Sequence, residues 1–445
     1  MSGSSYVLGR ICLSTGQYLV NNASCPQKGW PEAVEWDSLN GNLLVSDELD
    51  SGVWVVSPTT GEVIATLSGG SEFDGAAVDT VTGNIYTPEG TGVNSVEVSS
   101  GSSYSPVGFV QVGVDPEAVV FDPANGDLYV ANTGSNNVSV IDGETDQVTA
   151  SIAVGGESSG PTDLTLDSAT GNLYVTGNFN SATVVDTLTN RVIDNLSLGS
   201  YGTGMTFDPQ NGELYVPNDS QDTLMAINGT TNRIVANVSI FTTFNPSGDD
   251  PVTAAFDPTT GNICVTNFFA YNINVVPGST NTMLTTIPSG NEGWGIAFDP
   301  ISGHGYASNF GNDTLTVFTT IHTYPLTFVQ TGLAPGTNWT LDAFDGTYVD
   351  YSFFESLGRN STTIYEPNST VVFSVSSANY TADPQRGSLN VTGELLKITI
   401  KFTHVPVSTG GSFTGTPGLV YYVLAGAALV VVAAVCVVIW WRKSR

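Results

Sequence analysis

The chain has 445 residues, of which 12% are charged, with 41 Asp plus Glu against 11 Lys plus Arg and a net charge of −30. That length exceeds one ordinary compact domain unless the chain is a repeat array. The scarcity of bases argues against a nucleic-acid partner, since phosphate binding needs clustered Lys and Arg.

Gly, Ser, Thr, Asn and Val are plentiful, and no helical periodicity stands out before the last thirty residues. The composition predicts an all-β protein with many turns. Residues 1–30 open it. Within residues 1–20 there is no basic stretch followed by an apolar core of about 7–15 residues, so no secretory signal peptide is visible. Residues 6–22, "YVLGRICLSTGQYLVNN", resemble the later hairpin "VWVVSPTTGEVIATL". Cys12 and Cys25 are close enough in sequence to be bridged in an oxidising compartment, and bridged and free forms both stay open.

Residues 31–322 repeat one line. The stretch "FDPANGDLYVAN" (121–132) contains an Asp four residues before a Gly and then an apolar run. The same D-x-x-x-G frame occurs at Asp37, Asp79, Asp122, Asp167, Asp208, Asp257 and Asp299, with spacings of 42, 43, 45, 41, 49 and 42. An apolar residue precedes each Asp. The Asp accepts hydrogen bonds from backbone N–H groups ahead of it, and the Gly supplies a left-handed conformation. These seven Asp are therefore predicted to hold turns. A strand follows each Gly, as in "NLYVTG" and "ELYVPN", and then a second hairpin, as in "VSVIDGETDQVTASI". About four short strands in forty-odd residues is the period of a propeller blade.

"YVAN" (129–132), "YVTG" (174–177), "YVPN" (215–218) and "CVTN" (264–267) resemble the signature of the YVTN family of β-propeller repeats, in register over roughly residues 31–320. The resemblance implies a seven-bladed propeller of the kind found in prokaryotic, often archaeal, cell-surface proteins. The first and seventh copies depart from it ("LLVSD", "GYASN"). A ring must close or leave sheet edges exposed. The seventh copy runs short after "TLTVF" (314–318), so the N-terminal segment is expected to supply one or two outer strands of the last blade.

Inner strands line a propeller's channel, so equivalent positions form a ring. Five residues before each frame Asp stand Glu32, Asp74, Glu117, Thr162, Thr203, Val252 and Trp294, with Asp163 and Asp115 nearby. Glu32, Asp74, Glu117 and Asp163 are thus a candidate acidic rim at one channel mouth. Such a rim is either hydrated surface or a site for Ca²⁺ or another divalent cation, which takes several oxygen ligands. No other cofactor is indicated. His304, His322 and His404 are scattered, and no G-x-S-x-G, P-loop or Cys-pair zinc motif occurs. No catalytic set is visible. Cys264 is read as a small core residue.

Residues 323–405 lack the frame and show short alternating strands, which predicts a small immunoglobulin-like β-sandwich serving as a stalk. Of twelve N-x-S/T sequons, Asn338, Asn360, Asn368, Asn379 and Asn390 fall in this domain and are candidate glycosylation sites. Residues 406–418 are a flexible linker by composition. Residues 419–441 hold 23 residues without a charge, and the tail at 442–445, "RKSR", follows. About 20 apolar residues span a bilayer, so a transmembrane helix is predicted with its C-terminus cytoplasmic and the large domain outside.

The expected function is a membrane-anchored, non-enzymatic surface module binding a surface protein, glycan or envelope component, or a self-associating surface-layer scaffold. The alternative is an extracytoplasmic, lactonase-like metal-dependent hydrolase or lyase sited at the channel.

Overall fold

The computed structural model describes residues 7–15, 17–19, 25–26, 29–48, 52–68, 75–155, 160–177, 179–198, 204–241, 249–320, 324–335, 337–344, 352–356, 361–366, 370–390 and 396–405. The expected anchor at 419–441, the linker before it and the basic tail lie outside these residues. No helix of the described residues is long and apolar enough to cross a membrane.

Each D-x-x-x-G frame folds as a turn. In all seven, the Asp Oδ1 accepts the N–H two residues on, at 2.8–3.0 Å. The frame Gly donates its N–H to the Asp carbonyl with φ between 68° and 81°, where a Cβ is penalised. The turn joins the first two strands of a sheet. The third and fourth follow as an antiparallel hairpin, as in Asn137–Asp142 and Gln147–Ala153.

Among the described residues, seven such sheets form, six with four strands and the last with five. The strand after the turn is apolar at nearly every position because both its faces are covered. With the blades numbered 1 to 7 in the order of their frame Asp, from Asp37 to Asp299, Leu128 and Val130 of Asp127–Asn132 in blade 3 pack toward blade 2, whereas Tyr129 and Ala131 pack toward blade 4. One apolar cluster fills each of the seven inter-blade spaces. Burying both faces at roughly 25 cal/mol per Å² is the main force holding the ring. The arrangement is a β-propeller.

Two features close the ring. Val34, Val45 and Trp54 of blade 1 share a core with Ala297, Tyr306 and Val317 of blade 7. The strand Val7–Cys12 pairs antiparallel with Thr314–Thr319, and Gln17–Leu19 then pairs with Val7–Cys12. The N-terminus therefore provides the two outermost strands of blade 7. Cys12 is disulfide-bonded to Cys25, which ties that outer edge to the segment leading into blade 1.

Beyond the propeller, two further four-stranded sheets pack on each other. One contains Tyr324–Thr331 and Leu396–His404, and the other Trp339–Phe344 and Thr370–Ser376. Leu326, Phe328, Trp339, Leu341, Phe373 and Phe402 form their common core.

Candidate functional site

The inner strands of the propeller surround a cavity of about 530 Å³. It runs from Pro209, Pro258 and Pro300 in the frame turns to Trp294 at the opposite end. Neighbouring inner strands come very close. A Cβ on Gly295 would lie 2.7 Å from Ala33 Cα and closer still to the Glu32 carbonyl oxygen. Gly204, at φ +56°, abuts the Thr253 backbone in the same way.

Among the described residues, the cavity lining has two charged side chains and no Lys, Arg or His. Glu35 comes from blade 1, two residues before its frame Asp. Asp163 comes from blade 4, four residues before its own. Met205 N–H donates to Asp163 Oδ2 at 2.9 Å, and Leu164 N–H donates to Oδ1 at 2.7 Å. Burial pushes the Asp163 carboxyl up, and these backbone donors with that of Gly204 pull it back part of the way. Glu35 accepts no hydrogen bond among the described residues. Its carboxyl lies against Gly75 of blade 2. Protein surrounds it, but its surface opens into the cavity, so channel water reaches it. Burial first, and the Asp163 charge second, raise its pKa to about 7. Half-buried Trp36, Phe256 and Trp294 supply aromatic wall.

Of the four residues expected at the rim, Asp163 reaches the cavity. Glu32 and Glu117 are buried, at 4% and 8% exposure, and do not border it. Asp74 lies outside the described residues. The reason is a β-bulge. Pairing in blade 3 runs Pro116 to Asn132 and then Ala118 to Ala131, leaving Glu117 as the extra residue. Thr162 is skipped in the same way in blade 4, and Glu32 falls within the corresponding irregularity in blade 1. A bulge re-aims the side chain it carries. The positions open to the channel are those four and two residues before the frame Asp, while the residue between them, such as Val34 or Leu164, enters the inter-blade core. Glu35 carries the matching signal in the sequence, a lone acid two residues before the frame. Among the described residues, no group of three or more His, Cys, Asp or Glu is placed to hold a metal ion.

At the Trp294 end, aromatics from three blades gather. Trp30 stacks on Phe310 at 5.5 Å between centroids, and Phe268 meets Trp294 edge-on at 5.6 Å. Among the candidate glycosylation sites, Asn338 and Asn379 are exposed. Asn360 and Asn368 lie outside the described residues, as does the side chain of Asn390. Asn218, another sequon, is buried and accepts the Gln221 N–H at 3.1 Å. Cys264 is buried between blades 6 and 7.

No protein-family model matches the chain, and no curated protein matches it in sequence. Among solved structures it is similar to the Kuenenia stuttgartiensis hydrazine synthase, with a TM-score of 0.57 and 16% identity over 68% of this chain and 99% of that one. The likeness is one of fold alone.

Proposed function

We propose that this chain is a non-enzymatic binding protein held at a membrane surface, with the propeller channel as its ligand site. In this reading the blades belong to the YVTN type, the second domain is an immunoglobulin-like stalk, and residues 419–441 are the anchor. The uncharged run of 23 residues followed by "RKSR" supports an outward-facing propeller. The observation that carries the binding role is the channel itself. It is of ligand size, with aromatic wall and two carboxylates from separate blades.

The test pairs location with occupancy. Alkaline extraction and protease protection of the full chain in membranes should leave it membrane-bound and its propeller cleavable from outside. Native mass spectrometry against a small-molecule library should then find a ligand that Thr206→Phe, which narrows the channel, no longer retains. Extraction into the soluble fraction would overturn the anchor. Equal retention by the narrowed variant would overturn the channel as the site.

A further inference from the structure

We propose that the channel takes a small organic cation, an amine or quaternary ammonium, seated between Glu35 and Asp163 against the aromatic wall. The inference rests on the binding role given above and names its ligand class.

Three observations converge on that class. Among the described residues, the two charged groups lining the cavity are both acids, and no base lines it. An anionic ligand would meet uncompensated repulsion, and a neutral one would leave the acids as they are. Next, Asp163 is held by backbone donors, but Glu35 has none among the described residues. The Glu35 carboxylate faces the cavity, where an ammonium N–H or a close cationic methyl shell can replace channel water as its partner. Third, the wall is aromatic and aliphatic. Trp294 borders the cavity at one end, where its ring attracts a cation through the quadrupole, while Trp36 and Phe256 pack mainly into the inter-blade cores beside it. A bare metal ion prefers a shell of several oxygen ligands. Among the described residues, three such groups do not converge. An organic cation needs fewer ligands and more apolar wall, as is found here.

The proton on Glu35 gives the site a signature. Among the described residues, Asp163 is the other acid lining the cavity. A bound cation favours the ionised form of both acids. Binding near neutral pH therefore expels part of a proton from Glu35, and affinity falls as pH drops below about 6–7.

The full chain in detergent is titrated calorimetrically with choline and 1,4-diaminobutane, and with 3,3-dimethylbutanol as the neutral isostere of choline. Two buffers of different ionisation enthalpy are used at pH 7. At least one cation should bind, at least about ten-fold tighter than the isostere, with proton release. Glu35→Gln should weaken it by about ten-fold or more and abolish the buffer dependence, and Glu35→Asp should restore part of both. Asp163→Asn tests the second acid, with near-UV circular dichroism reporting its fold. Binding of the isostere as tightly as choline, or a Glu35→Gln variant with unchanged affinity, overturns the cation and leaves the channel as a ligand site. Binding of neither cation, to wild type with intact near-UV signal, overturns the cation too, and the library screen above then decides whether the channel binds anything.

Discussion

The Tyr129 hydroxyl of blade 3 donates to Asn190 Oδ1 of blade 4 at 3.1 Å, and Asn190 sits in the last hairpin turn of its blade with φ at 53°. The relationship recurs from blade to blade. Tyr86 donates to Asp146, Tyr174 to Asn232 and Tyr215 to Asn281, and all three acceptors have positive φ. The tyrosine seven residues after the frame Asp is therefore a latch to the next blade in these four blades. Burial pushes the Tyr129 and Tyr174 phenols up to about 12, so they stay donors at any ordinary pH. Cys264 and Leu44 hold the equivalent places in blades 6 and 1, and those blades lack this latch.

Tyr129→Phe should cost about 1–2 kcal/mol, because Asn190 Oδ1 and the Thr187 carbonyl lose a buried donor. Tyr271→Phe, at an exposed position, should cost almost nothing. Chemical denaturation of both variants checks this. Equal stability of the two would show the latch to be energetically idle.

The Glu35 carboxyl predicts a stability change of definite sign. Its folded-state pKa of about 7 lies above the ordinary value of 4.5. The folded chain thus holds that proton more tightly than the unfolded chain does. The group's contribution is fully present below about 4.5 and is lost as pH rises toward 7. Glu35→Gln, which cannot ionise, should therefore raise Tm at pH 8 by roughly 1–3 °C, a modest figure because channel water screens the charge. At pH 4 it should leave Tm unchanged. Thermal unfolding at the two pH values reads the difference, and a matching shift at pH 4 would mean a packing effect instead.

Close approach of the inner strands makes Gly295 and Gly108 respond differently. Ala at 295 places its Cβ against the Glu32 carbonyl oxygen and the Ala33 backbone, neither of which is a movable side-chain end. A loss of about 2–3 kcal/mol is expected. Gly108, on an outer strand, has an ordinary φ, and a methyl added there would meet nothing within 4 Å. Ala there should be neutral or slightly stabilising. Urea midpoints of the two variants test the contrast.

The Cys12–Cys25 bridge closes a short loop with a sequence separation of 13. Loop-closure entropy of that size amounts to about 3 kcal/mol. Cys25→Ser or reductant should lower Tm by several degrees, and proteolysis should then begin at the N-terminal strands of blade 7. Of the 4 cysteines in the chain, two should react with a thiol reagent in denaturant without reductant, and all should react after reduction. Four reactive thiols before reduction would show the bridge to be absent.

The repeat frame was legible from residues alone because its chemistry is local. An Asp that accepts the N–H two residues on and a Gly at positive φ act within five consecutive positions, so their spacing announces each turn. The apolar runs after each Gly announced strands covered on both faces. The channel acids were legible only in part. Two-residue alternation assigns faces until a bulge intervenes, and the bulges at Glu32, Glu117 and Thr162 break that count where the ring of acids was sought. Asp163 and Glu35 lie past the irregularity, and the closed ring, which brings blade 1 and blade 4 around one cavity, is what made them a pair. The latch from Tyr129 to Asn190 likewise joins residues far apart in sequence, whereas the pairing of Val7–Cys12 with Thr314–Thr319 had a signal in the sequence, a hairpin-like N-terminus and a seventh copy short of strands. Local turn chemistry wrote the blades into the sequence, whereas partnerships across blades exist only once the chain has closed on itself.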